Sequence, residues 1–261
     1  MADTTRHVVG FSGGAASSVT AKIVRDAYGA ENTVLLFHDT KTEPADNDRF
    51  RADVSAFLGI PITDDSDGRD IWGVFQDEGI LGNGRNTPCS RILKQERSMA
   101  YMKANQPAVL YIGFTAEETD RAQRTFARYA AQDVEARFPL VEQGISKDEC
   151  LHRVQACWGL KLPQLYAWAD HANCIPCVKG KKAYWGLLHM FEREAWERAA
   201  AAEDEFGHTI FTEAGSLREG VELTLRQLTR VAEANGLQVV DPAGQAFDPE
   251  RHQAMSVAAS E

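Results

Sequence analysis

The chain has 261 residues, enough to bury a sizeable core, with 44% hydrophobic and 25% charged residues. Its 28 Lys and Arg against 38 Asp and Glu leave a net charge of −10, which excludes a broad basic surface for nonspecific nucleic-acid binding. No run approaches the roughly 20 apolar residues of a membrane span, and the opening Met-Ala-Asp-Thr-Thr-Arg-His carries no apolar signal region, so a cytoplasmic protein with no membrane partner is expected.

Residues 7–11 (HVVGF) read as a short buried strand, followed by the small-residue loop SGGAASS and a helix over about 17–28. A second apolar strand, 33–37 (TVLLF), ends at His38-Asp39-Thr40. A polar helix is predicted over 45–58 and a short strand near 60–63. Strands alternating with helices imply a mainly parallel, Rossmann-like α/β sheet flanked by helices. Residues 64–88, rich in Gly, Asp and Asn, read as site loops around a short helix at 71–76. Within them, Arg69 between Asp67 and Asp70 suits either an oxyanion contact or a capped helix start. Asn83, Arg85 and Asn86 fall on a segment expected to be mobile. A helix follows over 90–103 and a buried strand over 108–114 (AVLYIGF). From 146 the chain reads as mostly helical, interrupted by a loop at 171–180. A periodic helix is predicted over 215–235 and a tail after 240, with 255–261 disordered. The expected division is a nucleotide-binding α/β part at 1–145, a mostly helical part at 146–240, and the tail at 241–261.

The strand–loop–helix at 7–28 carries chemistry. Glycines let a backbone approach an anion, and a helix start offers N–H groups and a positive dipole end. Ser12, Gly13, Gly14, Ser17 and Ser18 are therefore candidate phosphate contacts. The loop is neither a Walker A sequence nor GxGxxG. Asp39 and Thr40 stand past the carboxyl end of the second strand, where open α/β sheets bind ligands.

Five cysteines without a signal region make a poor disulfide framework. Cys150 and Cys157, seven residues apart in a helical stretch, read as core packing, and so do Trp158, Trp168, Trp185 and Trp196. His171 and His189 read as structural histidines unless one serves as a ligand. Cys174 and Cys177 form a CxxC, and Cys89 lies 85 residues before Cys174. Together they suit a 4Fe–4S cluster with one iron open, a zinc site completed by a histidine such as His171, or a redox pair. Arg91 and Lys94, three apart after Cys89, could hold an anionic substrate beside that thiol. The clusters Arg121/Arg124/Arg128 and Lys179/Lys181/Lys182 suit either solvated faces or local basic patches.

In order along the chain stand SGGAASS, FHDTKTE, TPCSRILKQE, GFTAEETDRAQR and HANCIPCVKG. This succession resembles the phosphoadenosine-phosphosulfate reductase family of the PP-loop adenine-nucleotide α-hydrolase superfamily, nearest to phage-encoded members and to sulfur-activating proteins of DNA phosphorothioation. The resemblance spans about 7–185. It implies an adenine nucleotide, ATP foremost, with Mg as a companion ion. It implies nucleotide contacts from the serine–glycine loop, the Asp39-Thr40 loop with Glu43, Gly113 and Arg121. It also places sulfur chemistry at Cys89 and the CxxC. Three departures stand out: Ala16 replaces the loop's usual Asp, Thr115 replaces the first Arg of the later segment, and no cysteine follows Cys177.

Three functions are compatible with these residues. The first is ATP-dependent sulfur transfer by adenylation and thiolation of an acceptor, which could be a nucleic acid. The second is a sulfonucleotide reductase, and the third a non-catalytic nucleotide-binding module with a metal clip. Expected partners are the nucleotide, a sulfur-donor protein, a nucleic-acid substrate and further copies of the chain.

Overall fold

The computed structural model describes residues 5–172, 174–210 and 215–218. The chain forms two compact units: Met1–Ile71 with Ser90–Cys174, and Trp72–Cys89 with Ile175–Glu261.

In the first unit, strands β1 (Arg6–Gly10), β2 (Thr33–Asp39), β3 (Ile62–Ser66), β4 (Ala108–Ile112) and β5 (Glu135–Arg137) form one sheet in the order β3-β2-β1-β4-β5. Every pairing is parallel. The apolar runs of β1, β2 and β4 follow from burial on both faces, since crossover helices cover both sides of a parallel sheet. Successive residues point to opposite faces. Val9, Leu35 and Tyr111 therefore join a core with Val19 and Val24 of helix α1 (Ala15–Tyr28) and Phe50, Val54 and Leu58 of α2 (Ala45–Leu58). Val8, Leu36 and Leu110 face the other way, toward Met102, Ala122 and Tyr129. Two helices of the first unit carry these residues, Arg97–Ala104 and Thr119–Ala130.

Strand order reverses between β1 and β4, the switch point at which such sheets open a crevice past their carboxyl ends. The register makes that crevice concrete. Gly10 stands opposite Leu36 on one side and Ile112 on the other. The chain therefore leaves β1 and β4 side by side, at residues 12–14 and at 113, while β2 continues to Asp39 against β3. Gly113 permits a close approach there: a Cβ on it would lie 2.9 Å from both Cα and N of Ser17.

Helix 45–58 falls where the sequence predicts it, and helix α1 begins two residues before the expected start. Five features differ. Strand β3 runs later than 60–63, through Asp64 and Asp65 to Ser66, because its register follows Phe37–Asp39 of β2 and an edge strand tolerates polar residues. The three-residue β5 and the helix Thr119–Ala130 were not anticipated. A π-helical turn, Arg91–Glu96, opens the helix expected over 90–103. A second one, Arg153–Cys157, follows the helix Lys147–His152. This second turn shifts the helical register, so the seven-residue spacing no longer holds both cysteines on one face. Cys150 is buried, with its thiol pushed up to about 12 by burial, whereas Cys157 is exposed. Cys157 is therefore not a core residue.

The second unit is built on Trp72–Glu78 of α3 (Ile71–Glu78) and on two helices, Lys182–Phe191 and Arg193–Phe206. Phe75, Leu81, Val178, Trp185, Leu188 and Trp196 are buried. Asn83 Oδ1 accepts the backbone N–H groups of Arg85 and Asn86, each at 2.9 Å, so the segment expected to be mobile closes as an Asx turn. Trp158 stacks on Phe57 in the first unit with ring centroids 5.0 Å apart, and Trp185 and Trp196 lie in the second unit's core, as packing residues would. The helix predicted over 215–235 lies outside the described residues from 219 onward, and so does the tail. No helix among the described residues is long and apolar enough to cross a membrane.

Gly113→Ala should destabilise the first unit by about 1–3 kcal/mol, the range for overpacking a filled site. Its Cβ would meet backbone, which cannot rotate away. Urea denaturation would check this, and an unchanged midpoint would show that the first turn of α1 can give way.

Candidate functional site

The glycine loop begins where β1 ends. Gly13 has a φ of +72°, a left-handed conformation that favours glycine, and Gly14 caps α1 in extended conformation. The serines divide by role. Ser17 and Ser18 are buried, and each hydroxyl donates to the Gly14 carbonyl at 2.9 Å. They brace the loop. Ser12 is exposed, and its hydroxyl donates to Ser17 Oγ at 3.2 Å. The Ala15 N–H, at the start of α1, donates to the Tyr166 hydroxyl at 3.1 Å. A neutral oxygen thus already sits on a helix-start amide, as a phosphate oxygen would. Burial pushes the Tyr166 phenol up, so it stays uncharged.

Thr40 is buried. Its hydroxyl lies 3.1 Å from Thr42 Oγ1 and 3.0 Å from the Cys174 sulfur. Around the same sulfur stand Glu43 Oε1 at 3.9 Å and Lys94 Nζ at 4.0 Å. Lys94 also pairs with Glu43 at 3.6 Å, and the Glu43 side chain is only 6% exposed. The Cys174 thiol therefore has a hydroxyl, a carboxylate that can take its proton and an ammonium that can face a developing anion. Ala172, two residues earlier, lies 3.8 Å from where a Cβ on Gly14 would stand. That packing ties the cysteine segment to the glycine loop.

Asp39, at the end of β2, accepts from the Lys41 backbone N–H at 2.8 Å and pairs with its ammonium at 2.5 Å. Burial acts to raise its carboxyl, but the Lys41 bonds and the Arg51 charge hold it below the ordinary value. Asp39 lines an open cleft of about 540 Å³ with Phe37, Lys41, Glu43, Arg51 and Asp65 among its walls. Arg51 was not singled out by the sequence reading, although it interrupts a buried stripe of Asn47, Phe50, Val54 and Leu58 on α2.

Other expected site residues are placed differently. Arg91 bonds Glu96 at 2.6 Å, a pairing across five residues that fits the π-helical turn. Arg69 donates to both carboxylate oxygens of Asp67, so the turn holds its guanidinium. Arg121 pairs with Glu118 at 2.5 Å and lies 4.2 Å over the Phe114 ring, next after Gly113 in the chain. Cys174 belongs to the first unit, and Cys89 and Cys177 to the second. Among the described residues, no three or more His, Cys, Asp or Glu form a group that could hold a metal ion.

A buried relay flanks the cleft. His38 Nδ1 lies 2.8 Å from Asp65 Oδ2, and His38 Nε2 lies 2.7 Å from Ser98 Oγ. Arg97 donates to both oxygens of Asp65. Ser98 is 8% exposed, which suits a cross-link between sheet and helix rather than attack on a substrate. Burial lowers His38 most, outweighing Asp65, while Arg97 holds the Asp65 carboxyl low.

Comparison with known proteins matches a different stretch. The GrpE family model matches residues 187–261. Protein GrpE of Thioalkalivibrio sulfidiphilus is 56% identical over 46 residues, 18% of this chain and 25% of that protein. Protein GrpE of Stenotrophomonas maltophilia strain R551-3 is 61% identical over 44 residues, 17% of this chain and 26% of that protein. The chain thus spans about a quarter of the length of these curated relatives. Among solved structures, the U34-tRNA thiolase NcsA from Methanococcus maripaludis with its 4Fe–4S cluster aligns over 87% of this chain and 72% of that one, at 17% identity and a TM-score of 0.45.

The relay sets a pH dependence. Because folding lowers the His38 pKa, the unfolded chain takes up a proton first as pH falls through the ordinary value of 6.5. Stability should therefore decline from about that pH downward, and Asp65 should add a further loss below the ordinary carboxylate value of 3.8. Between pH 7.5 and 5.5, melting temperatures of His38→Gln should fall less steeply than those of the parent. Parallel curves would remove His38 as the source.

Proposed function

We propose that the first unit binds an adenine nucleotide with its phosphates on the loop from Ser12 to Ser18, and that Cys174 is the thiol of an ATP-dependent sulfur transfer. The observation that carries this reading is the Cys174 thiol, held by Thr40, Glu43 and Lys94 at the end of β2 in the segment packed on Gly14. The loop follows β1 and the thiol lies against Thr40, just past the paired strand β2, so both are near carboxyl ends of strands, where such folds bind ligands. The resemblance of the motif order to the phosphosulfate reductase family and its PP-loop superfamily supports the same reading.

In this chemistry an acceptor oxygen attacks the α-phosphorus of ATP, and pyrophosphate leaves. Hydrogen sulfide then loses a proton to the Cys174 thiolate and attacks the carbon that bears the adenylated oxygen, so that a C–S bond forms as the C–O bond breaks and AMP leaves. Loop amides hold the phosphates, and the Ala15 N–H exchanges the Tyr166 hydroxyl for a phosphate oxygen. Glu43 takes the proton of the Cys174 thiol, and Lys94 faces the sulfur as charge develops. Asp39 and Arg121 are proposed as further nucleotide contacts, with Gly113 shaping the floor. Cys89 and Cys177 are proposed as companion thiols, and a nucleic acid as the acceptor. The GrpE-like stretch at 187–261 is proposed as a second module of the chain.

Gly14→Asp should abolish ATP binding in calorimetry, since its Cβ would stand 3.2 Å from the Tyr166 hydroxyl and its charge would repel phosphate. Wild-type affinity in that variant would overturn the loop assignment. Cys174→Ser should keep ATP affinity yet lose release of AMP in the presence of sulfide and bulk tRNA or DNA. AMP release at the parent rate would overturn the role of the thiol.

A further inference from the structure

The loop from Ser12 to Ser18 carries no cation. A polyphosphate seated on it would face amide dipoles alone, where a Walker-type loop supplies a lysine. The adjoining helix α2 presents a guanidinium. A Cβ on Gly13 would lie 2.7 Å from Arg51 Cγ and 3.6 Å from Arg51 Nη1, so this side chain runs directly beneath the loop. Its guanidinium carbon sits 3.8 Å from the centroid of the Phe37 ring, a residue of β2. Nη2 donates to Asp48.

Nη1 of Arg51 is buried with no hydrogen-bond partner, and the side chain as a whole is only 9% exposed. Asn47, one turn earlier on the same face of α2, is fully buried, and neither its Nδ2 nor its Oδ1 has a partner. Buried polar groups are almost always paired, so a cation and an amide left open on one helix face call for a ligand. An apolar residue at either place would extend the stripe of Phe50, Val54 and Leu58.

We propose that Arg51 and Asn47 form the cationic wall of the loop's anion site and take oxygens of a nucleotide polyphosphate or of free pyrophosphate. This inference rests on the loop reading above. Arg51 replaces the missing loop lysine from the next βαβ unit, and the Asn47 amide donates to the same anion or to a water held on it. The Asp48 and Phe37 contacts preset the guanidinium before the ligand arrives. A planar guanidinium fork suits phosphate oxygens.

The test is calorimetric titration of the full chain with ATP and, separately, with inorganic pyrophosphate, alongside melting temperatures. Arg51→Met removes the open Nη1 with one ion pair to an exposed Asp48 and the Phe37 contact, and Asn47→Leu removes an amide with no partner, so neither should lower the melting temperature by more than a few degrees. Arg51→Met should weaken both ligands by about ten- to a hundredfold, the loss expected for one charged hydrogen bond. Asn47→Leu should weaken both by several-fold. If pyrophosphate binds the parent without measurable loss in Arg51→Met while ATP weakens, the free-anion source is overturned and the nucleotide source stands. Parent-like affinity for both ligands in both variants overturns the proposal. If Gly14→Asp abolishes ATP binding while Arg51→Met and Asn47→Leu bind ATP and pyrophosphate as the parent does, the loop reading stands and this inference falls. If the parent binds neither ligand, both fall. Should Arg51→Met fail to fold, Asn47→Leu decides alone.

Discussion

The backbone of α1 meets the backbone of β4 with no side chain between them. A Cβ at Gly113 would lie 2.9 Å from Ser17 Cα and N, a distance that real Cβ atoms do not tolerate against backbone. This close approach brings the first turn of α1 down between the ends of β1 and β4, where the strand order reverses. The glycine loop is then held by contacts on every side. Ser17 and Ser18 hydroxyls grip the Gly14 carbonyl, Tyr166 caps the Ala15 amide, and Arg51 passes under Gly13. An anion site on backbone amides needs such rigidity, because its donors cannot be re-aimed by rotating a side chain.

The end of β2 departs from ordinary core chemistry. Thr40 and His38 are buried there, and the Glu43 side chain is nearly so. Burying such groups is costly unless each is paired. The pairings are present: Glu43 with Lys94, His38 with Asp65 and Ser98, and Asp65 with Arg97. Three polar residues, His38 of β2 and Thr40 and Glu43 after it, thus hold helix 97–104, the Cys174 segment and the π-helical turn against the sheet. Asn47 and Arg51 are different, since their open atoms have no such compensation among the described residues. Stability alone gives no reason to keep them.

The second unit shows a different sequence kinship. The GrpE match begins at residue 187, inside helix Lys182–Phe191, and takes in all of Arg193–Phe206. Trp196 and Ala199 of that stretch are buried, and Glu203 accepts the backbone N–H groups of Ile210 and Leu217 at 2.7 Å each. The similarity therefore starts within folded structure. Composition and periodicity could not reveal it, because a helix with a polar face is common to many folds.

The sequence by itself determined the α/β class, the parallel sheet, the place of the glycine loop and the two-sided burial of β1, β2 and β4. All of these follow from short-range patterns: apolar runs of strand length, helices between them and small residues after the first strand. It did not determine β5, whose three residues are too few to show a period, nor the outward turn of Arg91, which depends on a π-helical turn. Only the tertiary structure decided that Thr40 faces a thiol 134 positions away, that Arg51 underlies Gly13, and that Tyr166 caps α1. The physical reason is common to all three. Each contact joins segments far apart in the chain, and its geometry is fixed by strand order and backbone approach, which no local pattern of residue types encodes.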